Sequence, residues 1–420
     1  LKTNLLSINN LNLEYFIAKR LVTAKSDKSS VSSPIIKIAI TAIAIGIIMM
    51  IVSIATGIGL QKKIQEKVSA FNGHVIISNH DDNQSQVSTV PISTKQDFYP
   101  IFKSVSGIDY IQAVATKAAM IRTEETVEGI IFKGVGKEYN WDNIKEYIVE
   151  GSIPSLNNKL TDDVVISKFL ANRLSLKLND ICRTYFIKPN NEGYNLRSFR
   201  IVGIFNSGFQ EFDSNFVLGD LRHIQKINKW EEDEVGAFEV FLNNFSQIEE
   251  KGQEIYKEIP STYNSVTILD KYYSVFEWLK LFDFNIVVIL IVMIIVSTIN
   301  MIVALLVLIL ERTQMIGILK AVGASNWNIR KIFLYNAGHL IIRGLLWGNG
   351  IAFLFLLLQK FFGIIKLDPE NYYVNEAPVD INIGYIVLLN IGTIFVCLLV
   401  LLIPSYIITK ISPVKAIRFD

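Results

Sequence analysis

Four long apolar runs set the plan of the chain: residues 35–60, 284–310, 332–358 and 381–409. Each is long enough to cross a bilayer, which takes roughly 20 helical residues. Lys37 sits at the edge of the first and Arg343 inside the third, while the other two are uncharged. The first run continues past Gly57 and Gly59 into the polar stretch 61–68, which predicts one helix emerging from the membrane, with Thr56 and Gly57 as close-packing points. Tyr272, Phe276, Leu279 and Phe282 keep helical spacing ahead of the second run. A single rod is therefore expected to reach Leu310. Within it, Thr298 and Asn300 read as interhelical glue. Gly344 and Gly348 stand four apart in the third run, as close helix contacts require. Arg343 beside them is expected to snorkel or to pair inside the bundle.

Between the first two runs, the pattern alternates in short segments. Strands are predicted over 74–78, 110–122, 129–134, 182–187, 199–205, 216–218, 237–242 and 265–269. Helices are predicted over 94–105, 220–227 and 247–259, with 164–178 starting as strand and continuing as helix. This predicts an α+β domain whose middle, about 125–235, is mostly β and forms an inserted subdomain. The stretches 80–89 and 188–194 are polar and turn-rich, and read as solvated loops.

The segment between the second and third runs, residues 311–331, is the only amphipathic helical stretch so placed. Charges at Glu311 and Arg312 end one apolar run, and a helical pattern follows through Met315, Ile318 and Leu319. Gly323 breaks it, and Ser325 is placed to N-cap a new short helix from Asn326 to Phe333. A polar helix between two spans suits docking onto a soluble partner; a plain membrane loop is the simpler alternative. Near the start, residues 11–21 form a second amphipathic piece, with Tyr15, Phe16, Ala18 and Leu21 on one face and Lys19 and Arg20 opposite. That suits a helix lying on a membrane surface, followed by a hinge or cap over 26–33.

Charge sets the expected orientation. Lys2, Lys19, Arg20, Lys25 and Lys28 precede the first run; Arg312, Lys320, Arg330 and Lys331 lie between the second and third; Lys410, Lys415 and Arg418 follow the fourth. The loop between runs three and four is acidic, with Asp368, Glu370, Glu376 and Asp380. Both termini and the 311–331 loop are thus expected to be cytoplasmic, and residues 61–283 outside. The first run is too deep in the chain and too long to read as a signal peptide. The 420 residues are 50% hydrophobic and carry a net charge of +2, too small to suggest nucleic acid. Cys182 and Cys397 fall in different compartments and cannot pair.

No catalytic set is visible. The sequence has no phosphate loop (Gly134 to Lys137 lacks the spacing), no HExxH, no GxSxG and no zinc-spaced cysteine pair. His74, His80, His223 and His339 are scattered, Glu211 and Asp213 fall in a predicted loop, and no carboxylate lies in the apolar runs to relay an ion. Any energy input is expected to come from another chain or an ion gradient, and the lack of such a carboxylate weighs against the gradient.

Two motifs carry a resemblance. Glu311, Arg312 and Thr313, followed by Gly317 through Ser325 (GILKAVGAS), resemble the coupling region of FtsX/MacB-type ABC permeases. The tail from Pro404, with SPVKAIR at 412–418, resembles the C-terminus of the same superfamily. Within it, Phe16 to Arg20, the stretch VGIFNSG at 202–208 with Glu211, Phe212 and Asp213, and YYVNEAPV at 372–379 are similar to LolC/LolE-type lipoprotein-releasing permeases. The resemblance implies an α-helical membrane protein with four transmembrane helices and a large α+β periplasmic domain (61–283) between helices 1 and 2. Around these lie the cytoplasmic segment 1–34, the coupling loop 311–331, a short periplasmic loop 359–380 and a cytoplasmic tail 410–420. It implies a multi-pass protein of the cell inner membrane and no cofactor on this chain, with ATP and Mg held by cytoplasmic ABC ATPase subunits. It further implies a second permease chain, a lipoprotein substrate and a periplasmic lipoprotein carrier as partners. Carrier capture would fall near 187–198, which lacks the proline-rich character of the family's capture hairpin.

The expected coupling residues are Glu311, Arg312, Gly317, Lys320, Gly323, Ala324, Ser325, Asn326, Ile329, Arg330 and Phe333. An acyl-chain path would run along Met49, Met50, Ile54, Phe284, Val287 and Ile291, because methionine and aromatic side chains pack flexibly; ordinary bundle or lipid-facing packing is the alternative at each. Rival functions are a MacB-like exporter of peptides or toxins and an FtsX-like scaffold controlling a periplasmic hydrolase.

Overall fold

The computed structural model describes residues 13–23, 32–82, 85–157, 159–188 and 193–412. Most of the hinge 26–33, the tip of the 187–198 hairpin, residues 83–84 of the first polar loop, the side chain of Lys19 and the tail beyond 412 lie outside them. The chain forms two compact units. One comprises residues 1–60, 280–365 and 377–420; the other comprises 61–279 together with 366–376.

Among the described residues, four helices are long and apolar enough to cross a membrane, and their apolar stretches lie in the first unit. The first long helix is Ser32–Asn72, the second Tyr273–Glu311, the third Asn326–Phe362 and the fourth Ile383–Ser405, extended by a turn, Ile407–Lys410. At 1.5 Å per residue the second is about 58 Å long. Both of the first two helices outrun their apolar cores, as their spacing predicts. A helix at Leu13–Thr23 precedes them.

Close packing between the helices depends on small residues. A Cβ added at Gly344 would lie 2.7 Å from Ile43, and one at Gly348 would lie 2.9 Å from the Ala44 carbonyl, so the third helix meets the first backbone to side chain. Gly57 seats Ile286 of the second helix, whereas the Thr56 hydroxyl donates to its own helix at Val52 O, 2.7 Å. Thr298 approaches Cys397 of the fourth helix at 3.9 Å, as glue would. Asn300 does not act as glue: its amide donates to Val296 O in its own helix. Asn349 of the third helix and Asn390 of the fourth exchange amide hydrogen bonds at 2.7 and 3.0 Å. Arg343 is exposed.

The second unit is built on strands β1 Val75–Asn79, β2 Ile92–Ser93, β3 Ile108–Arg122, β4 Val127–Val135, β5 Ile148–Gly151, β6 Asp163–Ser167, β7 Ile181–Ile187, β8 Tyr194–Phe205, β9 Phe216–Asp220, β10 Glu234–Val235, β11 Ala237–Leu242 and β12 Tyr263–Thr267. Ten form one sheet in the order β12-β1-β11-β3-β4-β9-β6-β8-β5, with β7 bridging β3 and β8. The pairings β3-β4-β9-β6-β8-β7-β3 therefore close a six-stranded ring. Phe132, Phe186 and Phe199, none with exposed surface, pack together from three of its strands, at ring separations of 5.0–6.1 Å. The ring gathers strands of the β-rich middle of the domain together with β3, which precedes it in sequence and also pairs with β11 of the open sheet through residues 108–114.

The helix expected over 94–105 is absent, and the segment is turns and bends. Phe98, Phe102 and Val105 are buried, so the apolar spacing was a burial signal. Pro100 in its middle lacks the amide that a helix interior needs.

Candidate functional site

The stretch between the second and third long helices forms an elbow. The second helix stops at Glu311, and a short helix, Thr313–Ala321, follows. Gly323 takes φ +95°, the left-handed region where a side chain is strained, and Ala324 N donates to Leu319 O at 2.9 Å to close the helix end. Ser325 then caps the third helix by accepting from Asn328 N at 3.2 Å. The break and the cap fall where the sequence puts them. The helix that Ser325 starts is not a separate piece from Asn326 to Phe333: it runs without interruption to Phe362.

The elbow is fastened to the bundle by the residues expected to dock outward. Ile329 and Phe333 have no exposed surface and belong to the membrane unit's core, together with Ile316. Gly317 is buried, and Ala324 packs on that core. Lys320 Nζ donates to the carbonyls of Ile408 and Ile411, both at 2.7 Å. A cation there sits at a helix C-terminus, where carbonyl oxygens and the helix dipole favour positive charge. Arg330 donates to Ser405 Oγ at 3.0 Å and Leu402 O at 2.8 Å, and its guanidinium lies 5.3 Å from the Trp327 ring. Ile329, Phe333, Lys320 and Arg330 thus hold the elbow in place from within. Outward, the elbow offers Ile318, Val322 and Trp327, with Val322 84% exposed, alongside Glu311, Gly323, Ser325 and Asn326; Arg312 is half-buried. An exposed apolar cluster flanked by polar groups is what a protein partner covers. Sequence reasoning missed Val322 and Trp327, although an aromatic and a valine in an otherwise polar turn were the available signal.

The residues set out as an acyl path separate. Met49, Phe284, Val287 and Ile291 are exposed. Met50 has no exposed surface and belongs to the bundle core, so it lines no open face. Ile54 is half-buried, beside a small cleft shared with Asp380 and Asn382 at the start of the fourth helix.

In the second unit, motifs far apart in sequence converge. Rings stack in a column, Phe71–Phe212 at 4.9 Å, Phe212–Phe209 at 4.8 Å and Phe209–Tyr373 at 4.7 Å, edged by Tyr272 and Trp278. Phe71 ends the first long helix, Tyr272 and Trp278 flank the start of the second, and Tyr373 lies between the third and fourth. Asp213 shapes the intervening loop by accepting from Ser207 N, Ser207 Oγ and Gly208 N at 2.7–3.0 Å. Burial raises its carboxyl above the usual range, against those hydrogen bonds. Lys67 Nζ donates to Tyr373 O at 2.7 Å; burial pulls it down to about 8, against the attraction of Asp213. Residues 366–376, which connect the last two long helices, are thereby clasped into the second unit's core.

Among the described residues no His, Cys, Asp and Glu cluster could hold a metal. The arrangement suits mechanical linkage.

A family model described as MacB-like periplasmic core domain matches residues 38–255, just over half of the chain, and one described as FtsX-like permease C-terminal matches 287–413. The lipoprotein-releasing system transmembrane protein LolC of Buchnera aphidicola is 21% identical over 391 residues, covering 90% of this chain and 92% of that one. LolC of Neisseria meningitidis serogroup B is 21% identical, covering 97% and 100%. The extracellular domain of the noncanonic ABC-type transporter YknZ from Gram-positive bacteria aligns with 46% of this chain and 99% of its own, at 15% identity and a TM-score of 0.32. The chain belongs to the FtsX/MacB family of ABC transporter permeases.

Proposed function

We propose that this chain is the permease subunit of an ABC transporter that lifts lipoproteins out of the outer leaflet of the inner membrane for delivery towards the outer membrane. The elbow and both termini face the cytoplasm and the large domain faces the periplasm, in keeping with the basic residues around the elbow. A separate cytoplasmic ATPase, which holds the ATP and magnesium, seats on Ile318, Val322 and Trp327. Its closure pushes the elbow. The first and second helices, each running unbroken from apolar to polar sequence, carry the push outward, and the aromatic clasp passes it to the segment between the last two helices. Two permease chains, identical or homologous, pair around the acyl path, and Met49, Phe284, Val287 and Ile291 receive the lipid chains. Exposing acyl chains to water costs about 0.8 kcal/mol per CH₂, so extraction needs both ATP and a sheltered route. Met120, Ile187, Tyr194 and Leu196 stand exposed on neighbouring strands of the outer domain, and these offer an apolar surface to a soluble lipoprotein carrier.

The observation that carries the proposal is the elbow: a rigidly braced turn between two spans with an apolar face left uncovered. The test is reconstitution with the cognate ATPase in lipid. Triacylated lipoprotein should stimulate ATP hydrolysis and leave the membrane, while the same polypeptide without acyl chains should do neither. Equal stimulation by the unacylated polypeptide would favour a peptide exporter. Capture of a periplasmic hydrolase with no released cargo would favour a regulatory scaffold.

A further inference from the structure

We infer that the cleft between the third and fourth long helices, at their elbow end, is a binding site for one anionic phospholipid. The cleft encloses about 440 Å³. Leu334 and Tyr335 form one wall, and Phe395, Leu398, Leu399 and Leu402 form the other. These positions repeat at intervals of three and four, so each wall is a single helical stripe. One lining residue carries a charge, Lys331, in the same helical turn as Leu334 and Tyr335.

An apolar trough with a cation at one end matches an amphiphile that has an acyl chain and a negative head group. Basic pockets between membrane helices near an interface select such lipids over zwitterionic ones. The charge on Lys331 is loosely held: its nearest carboxylate, Glu14 of the Leu13–Thr23 helix, is 3.6 Å away, beyond hydrogen-bond range. The Tyr15 ring meets Tyr335 edge-on at 5.9 Å, which keeps that helix at the mouth of the cleft. Arg20 of the same helix, and Arg330 beside Lys331 in sequence, add positive charge around this end. A lipid phosphate can displace Glu14 from Lys331, so the site couples head-group charge to the seating of the N-terminal helix. Neither the first nor the second long helix, which would carry the lipoprotein path, lines this cleft. The leaflet involved is cytoplasmic on the orientation proposed above. Lipid binding itself can be measured without that orientation, so failure here leaves the coupling role standing, and the reverse also holds.

The test is native mass spectrometry of the full-length chain in detergent, titrated with dioleoylphosphatidylglycerol or dioleoylphosphatidylcholine. The wild-type chain should retain one phosphatidylglycerol in preference to phosphatidylcholine. Leu399→Trp, which fills the trough, should abolish that retention, whereas Ile299→Trp on the exposed face of the second helix should not. Lys331→Gln should lower the preference about fivefold, the weight of one basic residue near a membrane surface, and Glu14→Gln should raise it by a similar factor. The opposite signs separate head-group recognition from loss of folding. Equal retention of both lipids, or no change with Leu399→Trp, would overturn the proposal. So would a dimer that Leu399→Trp dissociates, since the trough would then seat a second chain.

Discussion

The two units of this chain are held together by different physics. The outer domain is a packed aromatic and β-sheet core with buried charges inside it. Its interior includes the Lys133–Glu239 pair, with side chains 2% and 5% exposed, and Lys133 also donates to Phe71 O at 2.6 Å. The membrane unit packs through glycines that admit neighbouring side chains and through polar contacts such as Asn349–Asn390 and Arg330–Ser405, and much of its apolar surface stays uncovered. Of the most apolar stretch of each long helix, 44% and 39% is buried for the first and third but 17% for the second and fourth. The lesson is that water drives apolar side chains together only in the outer domain. Within lipid, apolar surface gains nothing by hiding, so contacts form where glycine permits approach and polar groups need partners.

The largest expected effect is Phe212→Ala in the aromatic column, which should cost about 4 kcal/mol, read as lost hydrogen-exchange protection in the outer-domain strands. Phe395→Ala, on a ring 65% exposed on the fourth helix, should change the exchange of its own helix by less than about 0.5 kcal/mol. A second sharp difference is pH. His74 Nδ1 accepts from Leu242 N at 2.7 Å, which requires a neutral ring, and burial lowers its pKa to about 4. The unfolded chain binds the proton nearer 6.5, so this contribution is complete above pH 6.5 and is lost as pH falls towards 4. It amounts to about 3 kcal/mol. Exchange protection in β1 and β11 should fall over that window in the wild type and show a flatter profile in His74→Gln.

In the membrane unit, Gly348→Leu should cost about 2 kcal/mol by forcing the third helix off the first, read as a lower melting temperature in detergent. Gly350→Leu, where an added Cβ meets nothing within 4 Å, should melt like the wild type. The smallest effect is the Asn349–Asn390 pair: a double-mutant cycle to leucine should give a coupling of about 0.6 kcal/mol. A coupling several times larger would mean that the bundle relies on polar groups as the outer domain does.

The sequence shows local events well. The break at Gly323, the cap at Ser325, the close contacts at Gly344 and Gly348 and the extension of both leading helices are written within a few residues of where they act. Two things were illegible. Burial without helix at 94–105 mimicked helical spacing, because Phe98, Phe102 and Val105 all turn inward from an irregular path around Pro100. The aromatic clasp joins residues up to about 300 positions apart, from Phe71 to Tyr373, and nothing local marks them as neighbours. Lys320 and Arg330 were misleading for a related reason. A cation in a polar turn suggests a docking surface, but their targets are carbonyls and a hydroxyl at the far end of the chain.

The central claim is that the uncovered face of the elbow receives a motor subunit. The most direct measurement is ATPase stimulation by permeases carrying Val322→Asp or Trp327→Ala, each checked for an unchanged melting temperature. Both variants should fold normally and lose at least tenfold in stimulation together with binding of the ATPase. Normal binding and stimulation by a folded Val322→Asp, Trp327→Ala double variant would contradict it.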